Sequence, residues 1–208
     1  EEAERLGRGT TRRRITRKDL GNLKIPVPPL EVQKQIVAVL ERAEKLKQRR
    51  EQINEETKKS IQAIFVEMFG DPIKNDKGFA VEEFENIASK ERYGLKRGPF
   101  GGSLKKEIFV SEGYKVYEQQ HAIKNNFKLG DYYITSEKYE EMKPFALHPE
   151  DIIISCSGTI GKIAIVPKNA KPGIINQALL KLTIDKEKTT PIFIKYLLET
   201  PSVQRLFF

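Results

Sequence analysis

Four short stretches hold the side chains best suited to specific chemistry. Residues 155–166, SCSGTIGKIAIV, place Ser157, Thr159 and Lys162 around Gly158 and Gly161 between two apolar runs. The pattern predicts a tight hairpin whose tip offers hydroxyls, backbone amides and an ammonium, groups that meet phosphates. An ordinary hairpin turn fits the same residues. The run shares Gly-x-x-Gly-Lys with phosphate loops but lacks their four-residue gap and the Ser or Thr after Lys, which argues against a nucleotide site. Residues 96–106, KRGPFGGSLKK, carry Lys96, Arg97, Ser103 and Lys105 among three glycines. They predict a flexible basic loop able to follow DNA phosphates, since glycine permits close approach. Residues 118–123, EQQHAI, set Gln119, Gln120 and His121 behind a strand. Amide side chains can read adenine through two parallel hydrogen bonds. Asn176-Gln177 is a second amide pair, and bracing of loops by buried amides is the competing reading for at least one of the two. The fourth stretch, Thr10-Thr11-Arg12-Arg13-Arg14, concentrates positive charge near the start of the chain.

These residues divide into two expected roles. Arg12, Arg13, Arg14, Lys96, Arg97, Lys105 and Lys162 are phosphate contacts, with Thr10, Thr11 and Ser103 beside them. Gln119, Gln120, His121, Ser157 and Thr159 are base or groove contacts. A catalytic alternative rests on Asp131, Glu141 and Lys143, a loose Asp…Glu-x-Lys pattern of the kind that holds Mg²⁺ and a water. In a chain with 29 acidic and 37 basic residues such matches arise often by chance. No Gly-rich cofactor loop and no Asn-Pro-Pro-Tyr-type motif accompanies it. No catalytic residue and no metal ligand is therefore assigned.

Composition narrows the partner class. The formal charge of +8 favours a polyanion, and residues 1–29 carry half of that excess. One cysteine cannot form an internal disulfide, and two histidines with it give no zinc spacing. No apolar run approaches a membrane span, and the opening residues are too polar for a secretory signal. A cytoplasmic chain is expected.

Three segments must position these groups. Ile25-Pro26-Val27-Pro28-Pro29 is held extended, because proline lacks an amide hydrogen and restricts its predecessor. Residues 30–70 then predict one long helix. They contain no Gly or Pro before Gly70, and a three-four rhythm runs through Ile36, Leu40, Ala43, Leu46, Arg50, Ile53, Thr57, Ile61, Ile64 and Met68. Such a helix is roughly 58 Å long, too long to bury its seam within one small domain. It is expected to pair as an antiparallel coiled coil, with a second copy or a partner. Two shorter helices broken near Gln48 to Asn54 are the competing reading. Gly70-Asp71-Pro72 supplies the stop. From there to residue 208, short β-type runs at 115–117, 132–134, 151–155, 163–166 and 179–182 alternate with turn residues. Helical patterns follow from Ile192 to Glu199 and again from Pro201. The expected fold is α+β, an irregular, mostly-β domain plus one long helix.

Taken together, GTTRRRITRKDLGNLKIPVPPLEVQKQIV, IFVEMFGDP, GPFGGSLKK, EDIIISCSGTIGKIAIVP and INQALLKL resemble successive landmarks of the DNA-specificity (S) subunit of type I restriction–modification systems. The resemblance covers nearly the whole chain. It implies a scaffold, not an enzyme. In that family each target recognition domain reads one half of a split DNA sequence, and long helices act as a ruler and dock methyltransferase subunits. Those partners hold S-adenosylmethionine, and a Mg-dependent restriction subunit can join them. No cofactor is implied for this chain itself. A full S subunit has two recognition domains and two helical regions; this chain offers one of each. Residues 1–29 resemble the closing segment of a recognition domain, 30–70 the helix and 71–208 the bulk of the domain. The expectation is a circularly permuted half subunit that dimerises through its helix on double-stranded DNA. A fragment spanning parts of two domains, or a domain swap, are the competing accounts of the order. A Mg-dependent nuclease and a non-DNA-binding assembly fragment are the rival functions.

Overall fold

The computed structural model describes residues 16–91 and 93–208, and the chain divides into two compact units, 1–56 and 57–208. Thr10 to Arg14 lie outside the described residues. The first described helix of the first unit is α1 (Arg17–Gly21). Thr16 caps it, its Oγ1 accepting from the Asp19 amide at 3.2 Å while the Asp19 carboxylate accepts from the Thr16 amide at 3.3 Å. The proline run has no regular structure, and α2 (Leu30–Phe69) starts directly behind Pro29. The amides of Val32 and Gln33 donate to the Pro29 carbonyl at 2.9 and 3.1 Å. The Gln33 side-chain amide donates to the Pro28 carbonyl at 2.7 Å. A carbonyl turned back on the first turn thus does the work of a cap.

Helix α2 is continuous for 40 residues, with no break at Gln48 to Asn54. None of its residues is buried. Ile36, Leu40 and Ile53 of the first unit stand open to solvent, Leu40 at 62%. The last turns of α2 belong to the second unit, where Phe65 and Phe69 meet Phe193 at 5.6 and 5.1 Å between ring centroids, and Phe79 stacks on Phe69 at 5.0 Å. Ile61, Ile64 and Met68 remain exposed there. The helix stops where the Gly70 amide donates to the Val66 carbonyl at 2.8 Å.

The second unit continues with α3 (Phe84–Ile87) and two four-stranded sheets. The strands are β1 (Leu95–Arg97), β2 (Tyr114–Tyr117), β3 (Tyr133–Ile134), β4 (Ala146–Leu147), β5 (Ile152–Ser155), β6 (Ile163–Ile165), β7 (Gly173–Ile175) and β8 (Leu179–Leu182). Helix α4 (Gln119–Lys124) follows β2, α5 (Ser136–Glu141) follows β3, and α6 (Pro191–Leu198) and α7 (Pro201–Phe207) close the unit. One sheet has the order β1-β8-β5-β6, antiparallel throughout. The other has the order β3-β2-β7-β4, with β2 and β7 parallel.

Strand alternation fixes the layers. Ile152 and Ile154 of β5 face Leu182, Ile194, Leu198 and Val203, so α6 and α7 cover one face of the first sheet. Ile153 faces the other way, among Tyr117, Ile175, Leu179 and Ala122, where the second sheet and α4 pack. Val116, Ile134 and Ile174 of the second sheet bury their own face against Leu104 and Met142. All four residues of β5 are buried, as a strand covered on both faces requires. The five predicted β runs are all strands. Strands β1, β4 and β7 and helices α4 and α5 add to the prediction, and Lys96 and Arg97 sit in β1 rather than in a flexible loop.

Buried polar groups tie the layers together. The Lys181 ammonium donates to the Ala146 carbonyl at 2.9 Å. Lys115 donates to the Gly130 carbonyl at 2.8 Å. The Tyr117 hydroxyl donates to the Lys171 carbonyl at 2.6 Å, and burial pushes its pKa up to about 12. Asp151, almost fully buried, accepts from the Thr183 hydroxyl at 2.6 Å and from the His148 amide at 2.8 Å. Asp151→Ala strands both donors away from water. It is expected to lower unfolding stability by about 3 kcal/mol in urea denaturation; a loss below about 1 kcal/mol would show that solvent replaces the carboxylate.

Candidate nucleic-acid interface

Four chain exits converge on one edge of the second unit. Strand β2 runs parallel to β7, pairing Tyr117 with Ile175, so both strands deliver the chain to the same edge. The Asn176 amide then donates to the Tyr117 carbonyl at 2.9 Å. A turn at 176–178, in which the Asn176 side-chain oxygen accepts from the Ala178 amide at 3.0 Å, leads into β8. The start of β8 is opposite the end of β5, Leu179 facing Ser155, and Leu180 faces Arg97 at the end of β1. The Gly98 amide donates to the Leu179 carbonyl at 2.8 Å, and the Cys156 amide to the Ala178 carbonyl at 2.9 Å. Residues 97–100, 118–119, 156–160 and 176–178 thereby form one continuous edge.

Its centre is the β5–β6 loop, the hairpin expected from Gly158 and Gly161. The base of the loop is fixed. The Lys162 amide donates to Ser155 Oγ at 2.9 Å, and the Gly161 amide to the Ser155 carbonyl at 2.8 Å. Helix α7 braces it from behind, Gln204 donating to the Gly161 carbonyl at 3.2 Å. Gly161 has φ of +74°, and a Cβ there would lie 2.7 Å from Phe208. Ser157, Gly158, Thr159, Ile160 and the Lys162 side chain are exposed at the tip. Gln119, at the start of α4, packs beside this tip, its Oε1 3.4 Å from where a Gly158 Cβ would stand. That oxygen is shielded from solvent and has no hydrogen-bond partner.

The other expected contacts are distributed by the same geometry. Arg97 is exposed at the edge. Lys96 alternates to the opposite face of β1, where its ammonium lies 5.5 Å from the centre of the Phe145 ring. Ser103 and Lys105 are exposed on the short turns after β1. Gln120 points away from Gln119 and donates to the Glu118 carboxylate at 2.9 Å. His121 is fully buried. Its Nδ1 accepts from the Glu118 amide at 2.8 Å and its Nε2 lies 2.7 Å from the Leu129 carbonyl, which makes Nε2 the protonated nitrogen. Both ring nitrogens are thus spent on bracing the β2–α4 junction, and His121 offers no group to a groove. The bracing amide of the second pair is Asn176, whereas Gln177 is exposed. One exposed side chain of this edge escaped the sequence reading. Phe100 is 93% exposed, and its only sequence signal was an aromatic set between Pro99 and two glycines.

The Asp131, Glu141 and Lys143 pattern does not assemble. Glu141 pairs with Lys138 at 2.9 Å and Lys143 pairs with Glu140 at 2.6 Å. Among the described residues no group of three His, Cys, Asp or Glu side chains is placed to hold a metal. No helix among them is long and apolar enough to cross a membrane.

The chain thus combines a mostly-β unit that has a braced edge with a long helix. Residues 1–59 match the family described as "Type I restriction modification DNA specificity domain". The fold is that of the HsdS subunit of Thermoanaerobacter tengcongensis, with a TM-score of 0.52 at 17% identity, covering 100% of this chain and 51% of that one. A chain from the structure reported as the basis of complex assembly and conformational transition of the type I R-M system is similar too. Its TM-score is 0.53 at 19% identity, covering 96% of this chain and 49% of that one. The chain therefore spans about half the length of these two solved chains. No curated protein matches it in sequence.

The hairpin brace makes a direct prediction. Gly161→Ala imposes a left-handed backbone on a side chain and drives Phe208 off the loop. It should cost at least about 1–2 kcal/mol by urea denaturation, with faster amide exchange at 156–162. Unchanged exchange would show that α7 does not hold the loop.

Proposed function

We propose that this chain is a non-catalytic DNA-specificity subunit of a type I restriction–modification system, reading one half of a split site on double-stranded DNA. The observation that carries the reading is the convergence of four chain exits into one edge that presents Arg97, Ser157, Thr159, Lys162 and Gln177. Cations position a duplex through its phosphates, and hydroxyls and amides read base edges. Gln119 adds an amide whose oxygen still lacks a donor. The arginine triplet at 12–14 supplies further phosphate contacts.

Helix α2 supplies the second half of the function. Its apolar positions, from Ile36 and Leu40 to Ile64 and Met68, are uncovered, and exposed apolar residues repeating at helical spacing suit another helix. A second copy packed antiparallel would place two reading edges at a fixed spacing for a palindromic, gapped site. The same helix docks methyltransferase subunits, which bring S-adenosylmethionine, and a restriction subunit working with Mg²⁺ can join the complex. The compartment is the cytoplasm, where these partners and their DNA meet.

Two experiments test this reading. A mobility-shift titration, with and without the methyltransferase, should give sequence-specific binding that weakens with salt, while plasmid incubated with Mg²⁺ and the chain alone stays intact. Replacing Arg12, Arg13 and Arg14 together by alanine should flatten the log–log salt slope by about 2.7, at about 0.9 per phosphate contact. An unchanged slope removes the triplet from the interface. Second, Ile36→Glu with Leu40→Glu should convert the dimer to a single-chain species in light scattering, with helicity retained. A dimer that survives both charges assigns self-association to another surface.

A further inference from the structure

We propose that Phe100 reads a thymine methyl group in the major groove, which makes it a specificity residue of the recognition edge; this rests on the DNA reading above. Phe100 is 93% exposed on a loop that is otherwise anchored. Before it, Gly98 lies so close to the turn at 176–178 that a Cβ would stand 1.8 Å from the Asn176 carbonyl oxygen, and Pro99 is buried. Behind it, the Ser103 amide donates to the Phe100 carbonyl at 2.9 Å, and Leu104 is buried. The backbone is therefore fixed on both sides of the exposed ring, on a loop that leaves the same edge. Gly102 has nothing within 4 Å of where a Cβ would stand, so bulk does not keep a duplex away from the ring.

The chemistry of the edge selects the ligand. Its polar members suit the donors and acceptors of base edges, whereas an aromatic ring has no hydrogen bond to offer there. The apolar group that a base pair presents in the major groove is the thymine C5-methyl. Phenylalanine on that methyl buries apolar surface on both sides without unstacking the duplex. A wedge driven between base pairs would need the duplex to kink and would lose stacking.

The test exchanges thymine for uracil, which removes only the methyl. A random duplex pool enriched on the full chain, assembled with its methyltransferase subunit, supplies the bound sequence. Each thymine of that sequence is then replaced by uracil in turn. The wild-type chain should lose about fourfold in affinity at one position, the effect of one buried methyl. Phe100→Ala should bind more weakly and be indifferent to uracil at that position, and Phe100→Leu should retain the uracil penalty. The proposal is overturned if uracil is tolerated at every position by the wild type, or if the penalty persists in Phe100→Ala. A loss of affinity in Phe100→Ala that ignores uracil but abolishes 2-aminopurine brightening in the site assigns the ring to a wedge instead. Failure of the wild type to enrich any sequence sinks the DNA reading itself, and the thymine contact with it.

Discussion

The parallel pairing of β2 with β7 is the constraint on which the candidate interface depends. Parallel neighbours cannot be joined by a hairpin, so the chain between Tyr117 and Gly173 must travel out and back. It uses that excursion to build α4, β3, α5, β4, β5 and β6. Because the two strands point the same way, Gln119 and Gln177 emerge at one edge rather than at opposite ends. The turn at 176–178 then carries the chain from one sheet into the other. Its backbone groups pair with the exits of β1 and β5. An antiparallel β2–β7 pair would satisfy the same hydrogen bonds but scatter the exposed side chains.

Buried polar groups make that arrangement specific. Lys115 and Lys181 are charged side chains taken out of water, and each ammonium is answered by a backbone carbonyl from elsewhere in the chain, Gly130 of a loop and Ala146 of β4. Asp151 and Thr183 close a similar bond between β5 and β8. Such groups cost too much to bury unpaired, so any register that separated them from their partners would be disfavoured. His121 belongs to this set. Its ring bridges Glu118 and Leu129, which fixes the direction in which α4 leaves β2 and so the place of Gln119.

The long helix answers to a different balance. Helix α2 has strong helix formers throughout, a proline carbonyl at its start and Gly70 at its end, but no buried residue in all its length. Within the second unit, Phe65 and Phe69 hold its last turns against Phe193. Its remaining apolar positions up to Ile64 stand exposed among the described residues, so its continuity rests on helix propensity and end signals rather than on burial.

How much of this was legible in the sequence follows from the range of the forces. Local forces suffice for α2, for the 155–166 hairpin and for the restart at Pro201, because periodicity, proline and glycine act over a few residues. Strands β1, β4 and β7 are two or three residues long and carry no period of their own. Gly173, ordinarily a strand breaker, belongs in β7 because the Lys115 carbonyl oxygen lies 2.0 Å from where its Cβ would be. Amide and imidazole side chains are equally at home in a groove and in a core. Nothing near Gln119, Gln120 and His121 in the chain says that the first meets the Gly158 tip, the second turns to Glu118 and the third is buried. The sequence by itself determined the long helix, five of the eight strands and the inventory of cations, amides and hydroxyls. The tertiary structure alone decided which of them share an edge, because that depends on strand direction and long-range pairing, which residue types do not encode locally.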